Sequence, residues 1–301
     1  MDPSFRRLRL LLALARTGSI TGAARACHVT QPTASMQLRE LSEAVGLPLH
    51  EPAGRRVRLT AAGHAVVAAA QAMVDEWEAL EQRIAAMKGL EQGRLRVCIA
   101  STAKYFLPRM LGAFCQAHPG IDITLEVLNR DRVVERLRGQ LDDLYILSQP
   151  PRDIPHQAEP LLDNPLVLIA PLGHALAQAP RQRWQRLRTE PFILREQGSG
   201  TRLAVDRHFG ALGLQPRVRL ELGDNEAVKQ AVAAGMGLGV VSRHALAAEP
   251  SREGLALPVV QRFPVPSSWS VLWPAGRRLS PAAQAFVAHL HAASARWETH
   301  S

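Results

Sequence analysis

The stretch Val29-Thr30-Gln31-Pro32-Thr33-Ala34-Ser35-Met36-Gln37-Leu38-Arg39 decides how the N-terminal part of this 301-residue chain is read. Thr30 carries a hydroxyl suited to capping a helix, and Pro32 is tolerated in a first turn, so a helix is expected to begin here. With each residue advancing about 100°, Ala34, Leu38, Leu41 and Val45 share one face, and Gly46 stops the run. Pro32, Thr33, Ser35, Met36 and Arg39 are left pointing outward, with Gln31 at the same end. That surface is unusual for a helix with nothing to touch, because its short polar side chains can approach base edges closely.

Working outward, Phe5, Leu8, Leu12 and Ala15 recur at helical spacing until Thr17-Gly18, and Ser19 can cap a short helix rich in small residues. Ala23 and Ala24 would let two helices approach closely, and His28-Val29 makes the turn. A helix, a tight turn and a second helix with an exposed polar face form a helix-turn-helix, whose second helix enters the major groove of double-stranded DNA. The expected DNA-contacting residues are Ser19, Thr30, Gln31, Pro32, Thr33, Ser35, Met36 and Arg39. Downstream, Gly54-Arg55-Arg56-Val57-Arg58-Leu59-Thr60 alternates around a glycine turn and reads as a β-hairpin wing. It would set Arg55, Arg56 and Arg58 beside phosphates, where positive charge gains affinity by releasing counterions. Taken alone, such a hairpin could equally be a solvated basic face; with the helix pair beside it, the DNA reading prevails.

Charge supports this. The chain carries a formal +9, and residues 1–60 hold nine Arg against Asp2, Glu40, Glu43 and Glu51, so more than half the excess lies at the N-terminus. Apolar residues at 47% and charged residues at 21% indicate a folded chain, and the length implies more than one core. No apolar stretch approaches the roughly 18 residues of a spanning helix and the N-terminus lacks a signal-peptide core, so a cytoplasmic protein without membrane contact is expected. Cys27, Cys98 and Cys115 are far apart, which argues against disulfides and structural zinc, and no metal site is expected.

Gly18-Ser19-Ile20-Thr21-Gly22-Ala23-Ala24, Val29-Thr30-Gln31-Pro32-Thr33-Ala34-Ser35, Gly46-Leu47-Pro48-Leu49 and Leu59-Thr60-Ala61-Ala62-Gly63 together resemble the signature of LysR-type transcriptional regulators. The match spans the whole N-terminal domain in order and spacing. Two departures stand out: Met36 replaces the usual Arg or Lys, and His50-Glu51-Pro52 replaces Phe-x-Arg, each removing positive charge near the expected DNA surface. The resemblance implies an all-α winged helix-turn-helix over residues 1–60, a linker helix over 61–92 and a C-terminal α/β effector domain. That domain would have two lobes like those of periplasmic binding proteins, lobe I over 93–165 and 268–301 and lobe II over 166–267.

From Ala61 to about Lys88 no proline interrupts a helical run, and Val66, Ala70, Met73, Trp77, Leu80, Ile84 and Met87 alternate spacings of four and three. This is a heptad seam, although one helix packed on its own domain could show the same pattern. The resemblance implies that Val66, Met73, Trp77, Leu80, Ile84 and Met87 pair two subunits, presenting two recognition helices to a two-fold related operator. It further implies assembly of dimers into a homotetramer and leaves RNA polymerase as a candidate partner.

Beyond residue 92, runs such as Leu95–Ala100, Ile121–Val127 and Asp143–Leu147 read as strands separated by helices around 105–117 and 132–137. The pattern restarts at Leu166–Ala170, passes Pro191–Leu194 and Val240-Val241, and ends with Trp269–Trp273 and a helix from Pro281 to about Arg296. Such alternation predicts mostly parallel sheets covered on both faces. Ligands then bind at strand carboxyl ends, where helix N-termini offer free N–H groups. Ser101, Thr102 and Lys104 follow one strand, Gln149 ends another, and Ser199, Thr201 and Arg202 follow a third. Hydroxyls with a Lys and an Arg suit a small anion, though the same residues could be ordinary helix caps.

Ser101-Thr102-Ala103-Lys104 also matches Ser-x-x-Lys, the nucleophile motif of penicillin-binding proteins and class A β-lactamases, but neither Ser-Asp-Asn nor Lys-Thr-Gly occurs in the chain. Gly235, Gly237 and Gly239 precede a strand at the wrong spacing for a dinucleotide fingerprint. The rival is therefore a cytosolic α/β enzyme or a solute-binding protein with a basic N-terminal extension, which would turn over substrate or bind solute without shifting DNA. No catalytic residue and no cofactor is expected.

Within the LysR family, residues 101–109, 142–151, 163–171 and 198–202 resemble the regulators of Calvin-cycle carbon-fixation (RuBisCO) operons, although Ser148 stands where that subgroup would have Gly. That subgroup responds to phosphorylated intermediates and NADPH, so the effector implied is a phosphorylated metabolite, NADPH or a carboxylate.

Overall fold

The computed structural model describes residues 4–53, 56–87, 92–178 and 181–298. The chain forms two compact units, the N-terminal helices with the wing and long helix, joined by the short stretches 139–141 and 277–281, and the α/β remainder.

In the first unit, α1 (Phe5–Thr17), α2 (Ile20–Ala26) and α3 (Gln31–Val45) are followed by the hairpin strands β1 (His50–Ala53) and β2 (Arg56–Leu59) and the long helix α4 (Ala61–Met87). The expected caps form: Ser19 accepts a hydrogen bond from the Gly22 N–H at 3.1 Å, Thr30 accepts one from the Thr33 N–H at 3.4 Å, and Gly46 closes α3 at φ +79°. The core is wider than a stripe of Phe5, Leu8, Leu12 and Ala15. Leu8, Leu10, Leu11, Leu12 and Leu14 are all buried, because α1 is enclosed by α2, α3 and α4, while Phe5 stays exposed against Trp77.

The wing is antiparallel, with Glu51 opposite Arg58 and Pro52 opposite Val57, and the Val57 N–H donates to the Gly18 carbonyl at 2.9 Å. Thr60 caps α4 by accepting from the Gly63 N–H at 3.0 Å, and it donates to the Pro48 carbonyl at 2.6 Å. A Cβ on Gly63 would lie 1.9 Å from the Leu49 carbonyl oxygen, so glycine is required for α4 to leave the wing at this angle. Val67, Ala70 and Val74 seat the first turns of α4 on the head. Ala70, which the heptad pattern places in the seam, is thus part of the head core.

The second unit contains two five-stranded sheets. Lobe I starts with β3 (Gly93–Ala100), a 3-10 turn over Ser101–Tyr105, α5 (Leu107–Ala117), β4 (Ile121–Leu128), α6 (Arg130–Arg138), β5 (Leu144–Ser148) and β6 (His156–Asp163). Lobe II carries β7 (Leu166–Pro171), β8 (Pro191–Arg195), α7 (Gly200–Ala211), β9 (Arg217–Leu222), α8 (Asn225–Ala233), β10 (Leu238–Ser242) and β11 (Leu255–Ala256). The chain then returns to lobe I as β12 (Ser268–Pro274) and α9 (Pro281–Glu298).

The strand orders are β4-β3-β5-β12-β6 and β11-β7-β10-β8-β9. Each sheet is mixed, and not mostly parallel as the alternation suggests. β3 runs parallel to β4 and β5, and β8 parallel to β9 and β10, but β12 opposes β5 and β7 opposes β10. A strand arriving from the other lobe enters beside the carboxyl ends of its new neighbours and must run against them.

The two crossings lie side by side. The Asn164 N–H donates to the Ser267 carbonyl at 2.8 Å, and Leu166 and Val265 exchange backbone hydrogen bonds at 2.9 and 2.8 Å. The Ser242 hydroxyl donates to Asn164 Oδ1 at 2.6 Å, in a fully buried contact. Among the described residues no helix is long and apolar enough to cross a membrane.

Candidate functional site

Two sites emerge, one in each unit. On α3 the residues Gln31, Pro32, Ser35, Met36 and Arg39 are exposed, Met36 by 48%, while Ala34, Leu38 and Leu41 are buried beneath them. Thr33 is half-buried, and its hydroxyl shares a 2.8 Å hydrogen bond with that of Thr30, so Ser35 is the freer hydroxyl on this face. Ser19 holds the start of α2. On the wing, Arg56 is exposed, whereas Arg58 grips Glu51 across the hairpin at 2.6 and 3.1 Å. Glu51 therefore cancels a charge that the sequence assigns to phosphate contact. Arg55 lies outside the described residues.

The exposed stripe of α4 comprises Met73, Trp77, Leu80 and Ile84, with Trp77 exposed by 47%. Val66 packs partly against the head, and the side chain of Met87 lies outside the described residues. Among the described residues, four large apolar side chains at heptad spacing on one face stay exposed, with Phe5 beside Trp77, the form expected of a surface that meets another subunit.

The second site lies between the lobes, at the carboxyl ends of β3, β5 and β8. The 3-10 turn places Lys104 Nζ 2.8 Å from Asp224 Oδ2 at the start of α8, and the Tyr105 hydroxyl donates to Glu226 at 2.8 Å. Burial and the neighbouring Glu226 carboxylate push the Tyr105 phenol up, so it serves as a donor. Gln149, at φ +56°, offers its carbonyl to Arg130 at 2.9 and 2.6 Å and its side-chain oxygen to Arg207 of α7.

At the start of α7 the loop runs against lobe I. The Asp131 N–H donates to the Gly198 carbonyl at 3.1 Å, and a Cβ on Gly200 would lie 2.5 Å from Ser148 Oγ. Ser199 holds the N-cap position, yet its hydroxyl makes no cap bond. The Thr201 hydroxyl is buried, the residue being 3% exposed, and has no hydrogen-bond partner among the described residues. Neither residue therefore acts as an ordinary cap.

Arg202 points elsewhere. Its guanidinium is taken by Asp206 at 2.9 and 3.0 Å, by Glu221 at 2.7 Å and by the Arg195 carbonyl at 2.8 Å, so it is a lobe II strut and not the cleft cation the sequence suggests. The residue that does reach the cleft is Arg195, the last of β8 and only 2% exposed. It donates to Ser101 Oγ at 3.3 Å, to Asn225 Oδ1 at 2.9 Å and to Glu196 at 2.8 and 3.0 Å. The structure thus forms two groups of contacts between the lobes, Ser101 and Lys104 with Arg195, Glu196 and Asp224, and Gln149 with Arg130 and Arg207 beside the loop that carries Ser199 and Thr201, while Thr102 is buried. The one sequence signal for Arg195 was a charge ending an otherwise apolar strand.

A winged helix-turn-helix with a bare polar recognition helix, joined by a long helix to a two-lobed polar cleft, defines a ligand-responsive DNA-binding regulator. The comparisons with known proteins give the family. Residues 5–64 match the bacterial regulatory helix-turn-helix proteins of the lysR family, and residues 88–295 match the LysR substrate binding domain. The chain is 47% identical to the RuBisCO operon transcriptional regulator of Acidithiobacillus ferrooxidans, over 97% of this chain and 94% of that one. It is 41% identical to the HTH-type transcriptional activator CmpR of Synechocystis, over 97% of this chain and 96% of the relative. The regulatory domain of Synechocystis PCC6803 CcmR, solved in complex with 2-PG, superposes with a TM-score of 0.65 and 47% identity, covering 67% of this chain and 98% of that one. This chain belongs to the LysR family of DNA-binding transcriptional regulators. Membership decides between regulator and enzyme in favour of the regulator.

Proposed function

We propose that this regulator controls carbon-fixation genes in the cytoplasm, binding a two-fold related operator as a homo-oligomer and responding to a small phosphorylated anion held between its lobes. The gene assignment draws on near full-length similarity to regulators of the RuBisCO operon. The observation that carries the effector assignment is the buried Thr201 hydroxyl, without a hydrogen-bond partner among the described residues, at the start of α7 in the loop that meets lobe I, with Lys104, Arg130 and Arg195 at the contacts between the lobes. A lone buried hydroxyl is costly, and a phosphate oxygen would satisfy it. That CcmR binds 2-PG with 47% identity over this region makes 2-PG the first ligand to try, ahead of NADPH and simple carboxylates.

In this reading Ser35, Met36 and Gln31 meet base edges, Arg39 and Arg56 meet phosphates, and the Met73–Ile84 stripe pairs two subunits, with dimers joining into a tetramer and RNA polymerase as the partner at the promoter. Calorimetry with 2-PG, NADPH and acetate, followed by footprinting on a RuBisCO-operon promoter with and without the best binder, tests both halves. Failure of every phosphorylated ligand to bind sinks the effector assignment. Absence of protection on the promoter sinks the gene assignment.

A further inference from the structure

The cations of the cleft already hold carboxylates. Lys104 of lobe I pairs with Asp224 of lobe II at 2.8 Å, and Arg195 is gripped by Glu196 at 2.8 and 3.0 Å. Asp224 does two jobs with its two oxygens: Oδ1 caps α8 by accepting from the Glu226 N–H at 2.6 Å, and Oδ2 takes the Lys104 ammonium. Asn caps a helix as well as Asp, so the negative charge at this position exceeds what the cap requires.

We infer that Asp224 is a resident counter-anion of the cleft, occupying Lys104 in the place of the effector's negative group, so that an anionic effector binds by displacing it and breaks a tie between the lobes as it does so. The inference rests on the anionic-effector reading above. Three features support it. The Lys104 side chain is 35% exposed and that of Asp224 is 44% exposed, so the pair is accessible to an incoming anion, unlike the deeply buried Arg195. An ammonium is a compact charge on a flexible stem with rotatable donors, and it can change partners without rebuilding its surroundings. Finally, a carboxylate left in place would repel a phosphate drawn to the same ammonium, so the two compete. Release of Asp224 leaves the Tyr105–Glu226 hydrogen bond as the neighbouring tie, which couples occupancy to lobe geometry.

Asp224→Asn tests this, because it keeps the capping oxygen and removes the charge; Asp224→Ser, also a cap former, is the second variant. Full-length parent and variants are titrated calorimetrically with 2-PG and with inorganic phosphate, after melting curves establish that each is folded. An exposed pair is worth up to about 1 kcal/mol, so its loss together with the repulsion should tighten binding about three- to tenfold. In a Lys104→Met background the same substitution should give no gain. Unchanged or weaker binding in both variants overturns the inference, and so does a gain that survives without Lys104. A parent that binds neither anion, and does not bind NADPH, overturns the effector reading itself, a result distinct from a parent that binds and variants that do not improve.

Discussion

Gly200→Ala places a methyl group where α7 begins, in the loop pressed against lobe I. Its Cβ would lie 2.5 Å from Ser148 Oγ, about 0.9 Å inside the 3.4 Å at which ordinary contact starts, and 3.6 Å from Arg130 Cδ. Were this an unconstrained helix start, alanine would stabilise the protein by about 0.4–1 kcal/mol through the unfolded chain alone. Forcing an extra methyl into a filled space costs about 1–3 kcal/mol. The net expectation is a loss of roughly 1–2 kcal/mol, or a fall in melting temperature of about 2–8 °C for a domain of this size. The sign thus separates a loop clamped between lobes from a free helix terminus. Ser148 is buried, and trimming it by Ser148→Gly removes the obstructing hydroxyl. Differential scanning calorimetry on the two single variants and the double variant should show destabilisation by Gly200→Ala and recovery in the pair. A melting temperature that rises in Gly200→Ala, or a double variant no better than the sum of its parts, would refute the reasoning.

Glu51→Gln frees Arg58 from its hairpin partner, so affinity for random DNA should rise and the salt slope of binding steepen by about one; an unchanged slope means that Arg58 does not face phosphate. Ser35→Ala should narrow the affinity gap between operator and random DNA, while Arg56→Ala should weaken binding to both, as read by fluorescence anisotropy in a salt series. Leu80→Asp puts a charge into the exposed α4 stripe at a cost of several kcal/mol, on the order of 3–5, if that stripe is an interface, so sedimentation should report monomers. Glu253 is held below the ordinary glutamate range by its hydrogen bond to Lys229, against the opposing effect of burial. Its contribution is present above the unfolded-state value and is lost as pH falls through the folded one, so Glu253→Gln should flatten the stability curve on that acid side and leave alkaline behaviour unchanged.

The head was legible because its signals are local. Thr30, Pro32 and Gly46 start and stop α3 through contacts within a few residues, and Thr60 and Gly63 mark the entry to α4 in the same way. The lobes were legible where strands are buried, as at Val97–Ala100 or Leu144–Ser148. β6 and β9 leave little mark in the sequence because both are edge strands with largely exposed side chains, and Arg217–Leu222 shows no buried face at all. Arg195 and Arg202 show where sequence reasoning ends. Both are arginines beside the same loop, and only the distant Ser101 and Asn225 in one case, and Asp206 and Glu221 in the other, decide which guanidinium reaches the cleft. The mixed sheets were hidden for a related reason, since strand direction depends on which lobe the chain has just left.

The paired crossings at Asn164–Leu166 and Val265–Ser267 behave as a door hung on two adjacent pins. Strands bound edge to edge there resist sliding and splaying, and what they leave soft is a turn about their common line. A regulator with one soft angle can close by different amounts. Ligands of different girth would stop it at different settings, so metabolites that share the cleft should produce graded transcriptional outputs, and partial agonists are to be expected among close chemical relatives of the effector.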